Sequence, residues 1–167
     1  MINFNSEEMV KRDRLRYTKN KLSANLTLLA ILVNAFYFVS IYKSDVGSYY
    51  YRYIIGISVL YNLIFMLVAF LAEEGVKSYK LGYSFVLIAI GLGQFIRMFI
   101  IPMDAHNTTF ASGGTETVVM EGVQFIYVSV LLIASGVLCI VAGIINIAKS
   151  RALKEHQAEI DKKAKGS

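Results

Sequence analysis

Gln94 and Arg97 lie three residues apart inside LGYSFVLIAIGLGQFIRMFII, the apolar run from Leu81 to Ile101, and that spacing puts both on one face of a helix. A charged side chain within a membrane-length segment is expensive to leave unpaired, so it reads as a functional-site candidate. Two further amides, Asn34 and Asn62, sit inside two other apolar runs. Counting about 1.5 Å of helical rise per residue, Asn34 falls about 18 Å above the inner edge of the hydrocarbon, Asn62 about 16 Å and Gln94 about 20 Å. The three share one layer near the midplane. The same count puts Arg97 at about 24 Å, Tyr37 and Ser58 at about 22 Å and Tyr127 at about 24 Å, a second polar layer about 6 to 8 Å beneath the outer surface. Closed on one another, the amides form an interhelical hydrogen-bond clamp, each bond worth under about 2 kcal/mol. Opened around water, they form a polar site at the depth where transporters hold cargo. For Arg97 the choice is between snorkelling to the headgroups or pairing with Asp104 or Glu121, and lining an outward-facing pocket for an anion or a partner.

Four apolar runs must position these residues, at about 22–42, 53–72, 81–101 and 123–148. Each is near the roughly 20 residues that carry a helix across about 30 Å of hydrocarbon, and a helix satisfies its own backbone groups in lipid. The chain is 56% hydrophobic with one Pro and no Trp, far from a soluble domain. The expected fold is an all-α integral membrane protein, a bundle of four transmembrane helices. The first run is longer than a signal-peptide apolar core and no small-residue cleavage site follows it, so it reads as a retained anchor.

Charge sets the expected orientation. Of 17 Lys and Arg, six precede the first run (Lys11, Arg12, Arg14, Arg16, Lys19, Lys21), Lys77 and Lys80 lie between the second and third, and six follow the fourth. The outer loop 102–122 carries none. The positive-inside rule then places both termini in the cytoplasm, with the plasma (inner) membrane as the expected location. The basic excess reads as topology, not as nucleic-acid binding. Segment 1–21 is expected to form a short basic cytoplasmic helix, with an Asn5–Glu8 capping box and Glu7–Lys11 and Glu8–Arg12 pairs. It has the charge to hold anionic lipid. Segment 149–167 is a charged cytoplasmic tail, expected to stay helical for a few turns and then fray. His156 within it reads as a solvated helix residue.

Small residues mark the packing faces. Gly91 and Gly93 in the third run, and Ser135, Cys139 and Gly143 spaced by four in the fourth, are what close helix approach in a membrane requires. In the first run Ser23, Thr27, Ala30, Asn34 and Tyr37 share a face, as do Ser58, Asn62, Phe65 and Ala69 in the second and Ser135, Cys139, Ala142, Gly143 and Asn146 in the fourth. Tyr49, Tyr50, Tyr51 and Tyr53 read as an interfacial aromatic belt. In the loop 102–122 a two-stranded hairpin turning at Ser112-Gly113-Gly114-Thr115 is expected. Asp104, His106, Glu116 and Glu121 match no metal signature, Cys139 stands alone, and no metal or cofactor is expected.

The sequence carries no phosphate-cradling loop, no HExxH helix, no GxSxG elbow and no carboxylate inside a span away from its ends, which removes nucleotide hydrolysis, the common hydrolases and carboxylate-coupled pumps. Three readings remain. The first is a non-enzymatic accessory or assembly subunit of a larger membrane complex such as a transporter, with the lipid bilayer and a membrane protein as partners. The second is a homo-oligomeric channel or carrier for a small solute. The third and weakest is a membrane enzyme using Asp104, His106 and Arg97 at its outer face.

Overall fold

The computed structural model describes residues 6–41, 49–112 and 115–165. Asn5 of the expected capping box, the loop 42–48 and the Gly113-Gly114 turn lie outside the described residues. So do the side chains of residues 6–9, 11, 12, 49–52, 54, 55, 110–117 and 163–165, including Glu7, Glu8, Glu116 and three of the belt tyrosines.

Among the described residues six helices and one hairpin follow in order: α1 (Ser6–Tyr17), α2 (Lys21–Ile41), α3 (Tyr49–Lys77), α4 (Leu81–Ile100), α5 (Pro102–Asn107), β1 (Thr109–Ser112), β2 (Thr115–Val118) and α6 (Gly122–Lys165). Among the described residues four stretches are long and apolar enough to cross a membrane: Lys21–Ile41, Gly56–Lys77, Leu81–Asn107 and Gly122–Lys162. The chain is therefore nearly all helical and reads as a membrane protein. Leu32, Ile64, Ile96 and Val130 are among the large apolar side chains left outside, where lipid tails are the fitting solvent. α3 starts four residues before the expected span and ends five after it. α6 extends as one helix through Lys165, the last of the described residues.

Neighbouring helices run antiparallel. Asn34 meets Asn62 across α2 and α3, Tyr61 meets Gly93 across α3 and α4, Ser84 meets Gly143 across α4 and α6, and Ala30 meets Ser135 across α2 and α6. The closest approach is between α4 and α6. A Cβ on Gly91 would stand 2.8 Å from the Gly136 carbonyl oxygen, one on Gly136 would stand 2.9 Å from the Gly91 oxygen, and one on Gly143 would stand 2.8 Å from the Ser84 oxygen. Backbone lies on backbone there. Cys139 packs in the same seam, and Ser135 Oγ donates to the Ala30 carbonyl at 3.0 Å on α2.

The α3–α4 turn closes with a Schellman pair, Lys80 N to Gly75 O at 3.0 Å and Tyr79 N to Val76 O at 3.1 Å. Tyr79 takes the left-handed position at φ 56°, where a β-carbon costs about 1 kcal/mol. Tyr79→Asn is therefore expected to raise stability by about 0.5 to 1 kcal/mol, read as a higher thermal midpoint in detergent. No rise would mean that the tyrosine ring returns the backbone cost in packing. Gly75 has a different constraint: the Tyr83 ring occupies the space its Cβ would need.

At the other end, α5 begins at Pro102, which supplies the fixed φ of a first helical position. Met120 N bonds Ala105 O and Val119 N bonds Thr108 O, folding β2 back over α5. The strands pair antiparallel from Thr109 with Val118 to Ser112 with Thr115. Beneath them Tyr37, Ile41, Ile101, Ala105, Met120, Val128 and Leu132 form one buried cluster.

His156 corrects the sequence reading. It is only 6% exposed, and its Nε2 lies 3.3 Å from Asp13 Oδ1 on α1. The long α6 provides a wall for α1 to lie against, so the ring is covered and not solvated. His156→Ala is expected to loosen α1 by up to about 1 kcal/mol, with tryptic cleavage at Arg14 and Arg16 accelerated about threefold. An unchanged cleavage rate would show that Asp13 and His156 do not hold the helix down.

Candidate functional site

Arg97 is 4% exposed and turned into the contact between α3 and α4. Its Nη1 donates to Asn62 Oδ1 at 2.8 Å and its Nη2 to Ser58 Oγ at 2.7 Å. The guanidinium carbon stands 4.3 Å from the Tyr37 ring centre and 4.8 Å from that of Tyr61. A cation between two aromatic faces gains about 2 kcal/mol or more per ring when desolvated. Snorkelling and pairing with Asp104 or Glu121 are both overturned. A helical Cβ leans toward the helix N-terminus, which in α4 leads away from the Asp104 end and toward Asn62.

The arginine also sets the direction of the amides. Asn62 must present its oxygen to a cation that can only donate. Asn34 Nδ2 then donates to the same Asn62 Oδ1 at 3.1 Å, and Asn34 Oδ1 accepts from Gln94 Nε2 at 3.2 Å. Asn34, Asn62 and Gln94 are all fully buried. The amide network is thus joined directly, and it continues to Arg97, Ser58 and Tyr37 through Asn62. Tyr127 is not part of it, since its side chain is half exposed on α6.

Four polar atoms in this network find no partner among the described residues: the Tyr37 hydroxyl, Asn62 Nδ2, Gln94 Oε1 and Arg97 Nε. Buried polar atoms of this kind ordinarily have a partner, and one without costs about 1 to 3 kcal/mol. Arg97 also lines a cleft of about 320 Å³ between α3 and α4, with Ile57, Ser58, Tyr61, Gly93, Ile96, Ile100 and Ile101. Tyr61 connects the two features. Its ring covers the guanidinium, and its hydroxyl would stand 2.8 Å from a Cβ on Gly93. Gly93 therefore faces α3, whereas Gly91 faces α6.

A second polar cluster, at the opposite end of the helices, is only partly visible in the sequence. Asn20 caps α2, with its Oδ1 3.5 Å from Ser23 N. Its Nδ2 donates to Ser23 Oγ and to Asn146 Oδ1, both at 2.9 Å. Asn146 Nδ2 donates to Ser84 Oγ at 2.7 Å and Lys80 O at 3.2 Å, Lys149 Nζ to Asn20 Oδ1 at 3.0 Å, and Ser150 Oγ to Tyr79 O at 2.8 Å. Every amide atom there is engaged, so this cluster is a clamp across α2, α4 and α6. Asn146 stands out on its helix face; Asn20 announces itself only as an Asn three residues ahead of Ser23, the spacing of a cap.

In the loop, His106 Nδ1 donates to Met120 O at 3.1 Å and the ring stacks on Phe125 at 4.7 Å between centres. Among the described residues no three His, Cys, Asp or Glu side chains gather to hold a metal. Arg97 spends its hydrogen bonds on α3 and does not join His106 in an outer-face catalytic group.

No family model, curated protein or solved structure matches the chain. The chemistry of the arginine site is what there is to reason from.

Proposed function

We propose that the protein is a small non-enzymatic accessory or assembly subunit of a larger membrane complex, a transporter being the first candidate. In this reading the four long helices form a transmembrane bundle in the plasma (inner) membrane with both termini in the cytoplasm. Six cationic residues before the first span and six after the fourth support that orientation.

One observation carries the functional reading. Arg97 is a charge at membrane depth whose described partners are an amide, a hydroxyl and two aromatic rings. None of these is an anion. Intramembrane charges ordinarily pair with one another or line a pathway, and a subunit that meets its counter-charge only on assembly has this arrangement when alone. The amides support the same reading, because Asn34, Asn62 and Gln94 bond one another instead of standing open around a solute.

Purification from native membranes in mild detergent tests it. A stoichiometric heterologous membrane protein is the expected companion. A homo-oligomer that moves a solute when reconstituted in liposomes would replace this reading with the channel or carrier one.

A further inference from the structure

We infer that the cleft between α3 and α4 seats a transmembrane helix of the partner that carries an Asp or Glu, and that this carboxylate pairs with Arg97. The inference rests on the assembly-subunit reading and names the chemistry of the partner.

Depth selects the occupant. The guanidinium is held between Ser58 and Asn62, levels about 8 and 14 Å beneath the outer edge of a roughly 30 Å hydrocarbon layer. A phospholipid headgroup stands outside that layer, whereas a side chain on a spanning helix reaches it without distortion. Charge selects the side chain. Arg97 Nε is buried without a partner among the described residues, and a carboxylate is the acceptor whose two oxygens match the guanidinium fork.

Surface selects the rest of the partner. Ile57, Ile96 and Ile100 at the cleft are 55%, 61% and 61% exposed, a lining that suits an apolar helix. α3 and α4 also pack on each other less extensively than either α4 and α6 or α2 and α6. On docking, the Tyr61 ring turns from the guanidinium edge to admit the carboxylate, and its hydroxyl becomes a second donor to it.

The full chain in neutral phosphatidylcholine vesicles provides the test. The probe is a synthetic Leu/Ala helix of about 23 residues with one Glu a turn off centre, compared by energy transfer with the same helix bearing Gln. The Glu peptide is expected to associate at least about tenfold more tightly. Arg97→Gln should remove the preference while leaving the thermal midpoint near that of the parent, and Arg97→Lys should retain part of it. Equal binding of the two peptides to the parent chain would overturn the inference, and that comparison needs no variant to fold. Survival of the preference in Arg97→Gln would overturn it too. So would its loss on adding phosphatidylglycerol, which would make the occupant an anionic lipid. A Glu preference with no companion in native purification would leave the cleft chemistry standing and remove the assembly reading; a native companion without a Glu preference would do the reverse.

Discussion

Asn62→Leu is expected to lower stability by about 3 kcal/mol or more, while Arg97→Met, at the other end of the same hydrogen bond, changes it by less than about 1 kcal/mol. The asymmetry follows from what each substitution leaves behind. Without Asn62 Oδ1, Arg97 keeps its charge in a buried site and, among the described residues, retains Ser58 as its hydrogen-bond acceptor, and Asn34 Nδ2 loses its acceptor as well. Without the guanidinium, Asn62 still accepts from Asn34, the Ser58 hydroxyl can turn to a backbone carbonyl of its own helix, and a thioether lies well between the Tyr37 and Tyr61 rings. The double variant Asn62→Leu, Arg97→Met should therefore recover much of what Asn62→Leu loses. Equilibrium unfolding in mixed micelles of all four proteins measures the coupling. If Arg97→Met alone is as damaging as Asn62→Leu, the arginine is a structural keystone, and its lack of a described counter-ion no longer points to a partner.

Gly91→Val carries the other large effect. Its Cβ would stand 2.8 Å from both the Gly136 carbonyl oxygen and Ile140 Cγ1 and 3.2 Å from the Cys139 Cβ, and the backbone oxygen and the Cβ cannot swing away. α4 and α6 must separate, which opens the seam that also holds Ser84 against Gly143 and carries the Asn146 clamp. A loss above about 3 kcal/mol is expected, more than ordinary overpacking of a side-chain core. Gly136→Val should do the same from the opposite wall, and the two together should cost far less than their sum because one separation relieves both. Gly82→Ala is the control: its Cβ would meet nothing within 4 Å, so it should be neutral or gain up to about 1 kcal/mol. Additive losses at Gly91 and Gly136 would mean that the two helices are not locked there.

Relative height along the helices was legible in the sequence because helical rise is constant, and antiparallel neighbours carry equal counts to equal heights. That is how Asn34, Asn62 and Gln94, and above them Arg97, Tyr37 and Ser58, could be grouped from three separate runs. Azimuth was much less legible. Tyr127 has the right height but points off the network, because α6 turns Asn146, Cys139 and Ser135 inward and that orientation leaves Tyr127 half exposed. The inward turn of Arg97 did have a signal, the tilt of helical side chains toward the N-terminus, which outweighs the attraction of the nearer surface once Asn62 is there to receive it.

Packing partners were harder to read. The Ser135, Cys139, Gly143 ladder is visible by its spacing, but Gly136, which makes the reciprocal contact with Gly91, stands next to it without a pattern. His156 looked solvated because nothing on its own helix pairs with it; its cover comes from Asp13, 143 residues earlier in the chain. Contacts between sequence-distant residues leave no local periodicity to find.

Arg97 is proposed to meet its counter-charge on a membrane partner. The direct measurement purifies the tagged chain from native membranes in mild detergent as the parent, Arg97→Lys and Arg97→Gln, and weighs each complex. The account predicts a stoichiometric membrane partner with the parent, a weakened one with Arg97→Lys, and none with Arg97→Gln although that chain stays folded and monodisperse. A partner retained by Arg97→Gln, or a parent chain that purifies alone, would contradict it.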